Sequence, residues 1–518
     1  MRPRKIMVAA VTVATVTATL VGCGGSGGTG GSSGKPQAGG DLVMARADEA
    51  TSLLPSVPTD NSAIWIIEEI YDTLTVPSQD GETVEPSLAT SWKQSKDKLS
   101  WTFTLRKGAT FTNGDPVTSA DVKFSIEQNQ DPSAPFSFID SIITKMDTPA
   151  DNTIVFHTKK PWSPIPADMA LYANSIVPKD YGGMSAEEFA KKPIGSGPFK
   201  FESWTRGSSL KIVKNPDHWN KEVPLLDSVT FTVVPDSNTR ATQLASGQIQ
   251  INEYPAYSSV KTLKNQPNAK VTAFPSSEVD YLGMNNSRKP FDDVNVRKAI
   301  SQAIDKEAIN KAVLYGHGKI AGAYLSPVTW AHNDEIEAPA YDLAAARAAL
   351  AESKVPDGFT TTLTVPSGDQ DLASQAQLVQ DSLGKIGIKV TIKKLDPAAL
   401  VTAKKAGNYD MAFGLYTTDI VDPDEIARFA GSYTGGVHAV YTWFKDPRMD
   451  KLAATASSEP KQSTRKAAYD EMQEIVADEV PFIPLFYAPG TYSYSTKVNE
   501  FHPGGTGNYF LKNVWLSK

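Results

Sequence analysis

At 518 residues the chain is long enough for two or three domains, and its 40% hydrophobic and 21% charged residues are the mix of an ordinary globular protein, which excludes disordered and collagen-like readings. Lys and Arg total 51 against 58 Asp and Glu, a net charge of -7 with no long block of one sign, so the basic face that nucleic acid requires is missing. The one cysteine, Cys23, excludes an intramolecular disulfide and leaves stability to the core.

In chain order, Arg2, Arg4 and Lys5 precede a Val/Ala/Thr/Leu-rich stretch from Ile6 to Val21, too short and too threonine-rich for a stable membrane span. It reads as an export signal, residues 1–22. Cys23 closes it in "LVGC", which resembles the lipobox of bacterial lipoproteins, where the cysteine thiol is acylated and becomes the new N-terminus. Residues 23–40 then form a glycine-serine tether, a random coil with an r.m.s. span of about 20–25 Å. The expected product is a soluble body held just off a membrane surface.

From Asp41 onward strand and helix patterns alternate, which points to an α/β architecture. "KLSWTFTLRKGATF" sets Trp101, Phe103 and Leu105 on one face of a half-buried strand. Thr118 and Asp121 form a capping box, with Val122 and Ile126 as the apolar stripe of the helix that follows. Further on, Val296, Ile300 and Ala303 recur at helical spacing, Asp305 caps a second helix, and Gly316 ends it. "TTLTV", "IKVTIKKL" and "YDMAFGLY" read as strands separated by helices, the second of these helices capped by Asp396 with Pro397 at its first position. This is the rhythm of an open sheet with crossover helices, whose ligands lie beyond the carboxyl ends of the strands. No internal repeat is present.

Enzyme signatures come out badly. G-x-S-x-G occurs only in the tether, which cannot supply a strained strand-to-helix turn, and no Walker A sequence exists. The six histidines are scattered without metal spacing, so neither a metal nor a cofactor is expected. The last of those strands runs into "GLYTTDIVDPDE", which carries four carboxylates: Asp419, Asp422, Asp424 and Glu425. Asp422 before Pro423 reads as an N-cap, with Asp424 and Glu425 in the first turn of a helix "DPDEIARFAG". Asp419 is left in the loop between strand and helix without a structural task.

Many residues together resemble one family. "EPSLATSWKQSKDKLSWTFTLRKGATFTNGDPVTSADVKFS", "PIGSGPFKFESWTRGSSLKIVKNPDHWN", "YLGMNNSRKPFDDVNVRKAISQAIDK" and "EMQEIVADEVPFIPLFY" look like the solute-binding lipoproteins of dipeptide, oligopeptide and nickel ABC transporters, family 5. The resemblance runs over nearly the whole mature chain. It implies a two-lobed α/β fold of the type II periplasmic-binding-protein kind, with a discontinuous first lobe and two hinge strands. Lobe one would take residues 41–274 plus 484–518, with an extra subdomain over about 76–204, and lobe two residues 275–483. It further implies a monomeric binding protein, not an enzyme, lipid-anchored on the outer face of the bacterial cytoplasmic membrane. The partners would be a peptide ligand and the permease subunits of an importer, with the ATPase subunits engaged indirectly.

In peptide-binding members a "W-T-G-D-x-x-D-P-D" type segment supplies an aspartate for the peptide's α-ammonium group. "YTTDIVDPD" resembles it, which makes Asp419 the amine partner, puts Tyr416 at the aromatic position, and leaves Trp443 as a candidate pocket wall. Dipeptide-preferring relatives hold the C-terminal carboxylate with an arginine after the strand corresponding to "TTLTV"; here "PSGDQ" stands there, which favours longer peptides. Alternatives are a nickel chelate, an oligosaccharide or another cationic metabolite on the same fold, or a secreted hydrolase using Asp419 and Asp422 as acid and base.

Overall fold

Two mixed sheets of similar size carry the chain in the computed structural model, which describes residues 35–436 and 438–518. The export segment, Cys23 and most of the tether lie outside the described residues. Among those described, no helix is long and apolar enough to cross a membrane.

The sheet of lobe one has seven strands, in the order Ala269–Phe274, Gly490–Ser495, Ile251–Glu253, Asp41–Arg46, Ser228–Val233, Ser209–Lys214 and Phe199–Thr205. Asp41–Arg46 runs parallel to both of its neighbours. Its alternation sends Leu42 and Met44 into a core shared with Trp65, Ile66 and Ile67 of the helix Asn61–Ile70, whose first turn Asp60 caps through the Ala63 amide. The tether ends earlier than its composition suggests. Gly39 donates to the Leu225 carbonyl at 2.8 Å and Gly40 to Asp227 Oδ2 at 3.0 Å, so the two residues before the first strand are already docked to the body.

Residues 89–158 build a separate four-stranded antiparallel sheet, Ala89–Gln94, Ser100–Leu105, Thr153–Thr158 and Ile143–Ala150 in spatial order. Phe103, Leu105, Val122, Ile126 and Phe156 form its own apolar core. The Thr118 amide donates to Asp121 Oδ2 at 2.8 Å at the start of the helix Ser119–Asn129, as the sequence pattern requires.

The sheet of lobe two has six strands, in the order Lys319–Ile320, Phe482–Tyr487, Val279–Met284, Met411–Tyr416, Thr360–Pro366 and Lys389–Leu395. Thr360–Pro366 is parallel to both of its neighbours; the helix Gln370–Gly384 leads from it to Lys389–Leu395, and Pro397–Lys405 leads from there to Met411–Tyr416. Aspartates cap the helices of this lobe: Asp293, Asp305, Asp342, Asp369 and Asp396 each accept an amide of the first turn. Gly316, at φ +78°, donates to the Asn310 carbonyl and closes the helix Lys306–Val313.

The chain crosses between the sheets at 275–278 and again at 488–489, five residues or so beyond the expected boundary near Pro484. The reason is burial. Every residue of Phe482–Tyr487 is buried, packed on Val279–Met284 in lobe two, so its uninterrupted apolar run carries no mark of which sheet it joins. The lobes touch where the Ser163 amide donates to the Ser457 carbonyl at 2.7 Å, where Ile420 of lobe two enters the core of lobe one, and where Tyr257 stacks on His317.

Candidate functional site

Between the lobes lies a cavity of about 810 Å3, faced by Phe136 and Phe138 from lobe one and by Leu415, Tyr416, Asp419 and Phe429 from lobe two. The two lobe-one phenylalanines sit on the turn after the helix Ser119–Asn129. Asp140 anchors that turn, accepting from Asn129 Nδ2 at 2.7 Å and Asn174 Nδ2 at 3.1 Å.

The lobe-two wall follows from the strand Met411–Tyr416 and the loop after it. At the strand's carboxyl end the chain must turn without a ladder partner, and Glu425 provides one. Its Oε2 accepts from Thr418 Oγ1 at 2.7 Å, the Asp419 amide at 3.0 Å and the Ile420 amide at 3.3 Å. Ser277 Oγ accepts the Thr418 amide at 3.0 Å. The backbone of Asp419 is thus held, while its carboxylate receives no hydrogen bond and no ion pair among the described residues. Burial, reinforced by the charge of Glu425, pushes the Asp419 carboxyl well above the usual range.

The other acids of the segment have partners. Asp422 accepts from Arg465 Nη1 at 2.7 Å and Nη2 at 2.5 Å, and from the Asp424 amide at 3.0 Å. Asp424 accepts from Arg428 Nε at 2.6 Å and from Ser457 Oγ. The expected cap is present, since Asp422 accepts the Asp424 amide two residues on. The helix itself differs from the expectation: only Asp424–Ile426 is α-helical before a wider π turn over Ala427–Gly431, and Asp422, Asp424 and Glu425 are buried in a polar network with partners beyond the helix start.

Tyr416 lines the cavity, its ring packed on Tyr281 and Phe482, and donates its hydroxyl to the Tyr324 carbonyl at 2.6 Å. Trp443 does not line the cavity. Its Nε1 donates to the Lys404 carbonyl at 3.1 Å, and its ring packs 4.5 Å from that of His438, which stands in the wall instead. Sequence reasoning missed Phe136, Phe138 and Glu425, and also Glu68 of lobe one. Glu68 Oε2 is buried with no partner among the described residues, and burial together with Glu69 and Asp419 raises its carboxyl. The doubled acid in "IIEEI" was the available signal, since Glu69 of the same pair is bonded to the Leu511 amide at 2.9 Å and Glu68 is not. Among the described residues no cluster of three or more His, Cys, Asp or Glu has the arrangement of a metal site.

An interlobe cavity with an unpaired carboxylate suits capture of a solute, and the sequence profile of the bacterial extracellular solute-binding proteins, family 5 (middle region), matches residues 83–436. The chain belongs to this family. It is 30% identical over 489 residues to the probable D,D-dipeptide-binding periplasmic protein DdpA of Escherichia coli K12, covering 92% of this chain and 93% of that one. It is also 30% identical over 516 residues to the oligopeptide-binding protein AppA of Bacillus subtilis, covering 94% and 93%. The structure of the ABC transporter-associated periplasmic binding protein DppA of Helicobacter pylori, in complex with the peptide STSA, superposes with a TM-score of 0.82 at 30% identity over 93% of this chain and 99% of that one. The family 5 protein is accordingly an extracytoplasmic binding protein of the two-lobed α/β class, not an enzyme.

Proposed function

We propose that this family 5 protein captures peptides with a free N-terminus between its lobes and delivers them to the permease of an ABC importer, anchored to the membrane through an acylated Cys23. The observation that carries the reading is Asp419: a half-buried carboxylate in the wall of the interlobe cavity, with the other acids of its segment paired and itself unpaired among the described residues. A free α-ammonium group completes it with a charge-assisted hydrogen bond of about 1.5–3 kcal/mol. Lobe closure keeps water from that pair. The peptide ligands named for the relatives from E. coli, B. subtilis and H. pylori support the same ligand class.

The soluble body, begun after Cys23, should be stabilised by peptides with a free N-terminus, by about 2.7 kcal/mol at a hundred times the dissociation constant. N-acetylated forms of the same peptides should give no such shift. Equal binding of free and acetylated peptides would overturn the role of Asp419. For the anchor, a Cys23→Ser chain should be recovered in the soluble extracytoplasmic fraction, and retention at the membrane would sink that part of the reading.

A further inference from the structure

A second cavity of about 330 Å3 abuts the first, sharing Phe138 and Gly436 as common wall. Its polar character is reversed. Lys159 and Lys160 of the lobe-one subdomain and Arg428 of lobe two line it. Both lysines are exposed, and neither makes an ion pair among the described residues. Arg428 donates its Nε to Asp424, and its Nη2 is buried with no hydrogen-bond partner among the described residues. The guanidinium packs on the rings of Trp162 and Phe138, which line the same cavity, 4.8 and 5.9 Å from their centroids. Two anions stand near it. Asp450 also lines the cavity, but its Oδ1 already accepts from Ser432 Oγ, the Thr434 amide and Thr434 Oγ1. Asp168 is buried behind Trp162 Nε1 and lies outside the lining.

A cavity-lining guanidinium held by one carboxylate and two rings, with no hydrogen bond from either Nη among the described residues, is a receptor for a planar anion, and two ammonium groups without ion pairs at the rim raise the local positive potential. We propose that this basic cavity binds the C-terminal carboxylate of the peptide whose ammonium group meets Asp419. The inference rests on the reading of Asp419 above. It gives the cleft an acidic end and a basic end, so a bound peptide has one direction. It also supplies a carboxylate site on a different element from "PSGDQ", where Asp369 caps the helix Gln370–Gly384 and no arginine stands. Because the site lies in the adjoining cavity, only peptides long enough to pass Phe138 reach both ends.

The test uses alanine peptides of graded length, from dipeptide to nonapeptide, each with free termini, as the C-terminal amide and as the N-acetyl form, titrated calorimetrically into the soluble body. Arg428 is unsuited to substitution, because its loss leaves Asp424 buried without a counter-ion. Lys159→Glu/Lys160→Glu is the variant instead, since both side chains are exposed. The expected result is a preference for the free acid over the amide of about tenfold or more above a threshold length. The lysine variant should reduce that preference by at least about threefold, with affinity for the amide unchanged. Equal affinity for acid and amide at every length, or a preference untouched in the lysine variant, overturns the proposal. Loss of binding on N-acetylation with indifference to amidation overturns it while leaving the Asp419 reading intact, and absence of binding by the whole series overturns both.

Discussion

Two halves of one segment make opposite use of the same chemical group. In the turn from Val421 to Ile426, Asp422 and Asp424 are each locked to an arginine, Arg465 and Arg428, and hold lobe two together. In the loop from Thr417 to Ile420, Asp419 is half-buried and has no counter-ion among the described residues. A carboxylate withdrawn from water without a partner costs the protein stability, so its persistence marks a site completed by something else. Glu425 joins the halves: its carboxylate is spent on the loop's amides, which fixes where Asp419 points without neutralising it.

The comparison predicts that the two aspartates fail differently. Asp422→Ala leaves Arg465 buried and uncompensated, and denaturant unfolding should show a loss of about 3–5 kcal/mol. Little change in the unfolding midpoint would mean that the pair with Arg465 is not structural. Asp419→Asn should lower affinity for a free-N-terminus peptide by about 10- to 100-fold, read by calorimetry, while the empty protein is as stable as the parent or more so. A stability loss there with affinity unchanged would reverse the contrast.

The pH dependence sharpens it further. A carboxyl raised in the folded state keeps a proton that the unfolded chain releases, so between the usual carboxylate range and the raised value stability falls as pH rises. For Asp419 the slope is at most about 1.4 kcal/mol per pH unit. Glu69, Asp140 and Glu278, each pushed up to about 7 by burial, contribute with the same sign. Asp419→Asn should therefore flatten the profile of melting temperature against pH between about pH 5 and pH 8 in the empty protein. Peptide affinity should move the other way in the parent chain, weakening as acid protonates Asp419. The smallest effect is expected for Trp443→Phe, which removes a hydrogen bond to Lys404 worth about 1 kcal/mol and should change affinity by less than about twofold. A tenfold loss would return Trp443 to the site.

What was legible in the sequence was local. The cap at Asp305, the Thr118–Asp121 pair and the helix closed at Gly316 each involve partners within a turn or two, and propensity suffices to find them. Asp419 stood out for the same reason, as the one acid of four that no local rule employed. The cap at Asp422 was legible too, but its second role was not, because Asp422 meets Arg465 across 43 residues of chain. Phe136 and Phe138 were indistinguishable from core residues, since an aromatic side chain in sequence does not declare whether it faces a core or a cavity.

The sequence by itself determined the family, the alternation of strands and helices, the caps and the candidacy of Asp419, all of which depend on residues close together or on an extended pattern of residues. Only the tertiary structure decided that Phe482–Tyr487 belongs to lobe two, that Trp443 backs the wall instead of forming it, and that a basic cavity joins the acidic one at Phe138. Those facts depend on which distant segments a buried face meets, and packing partners far apart in the chain leave no periodic trace in it.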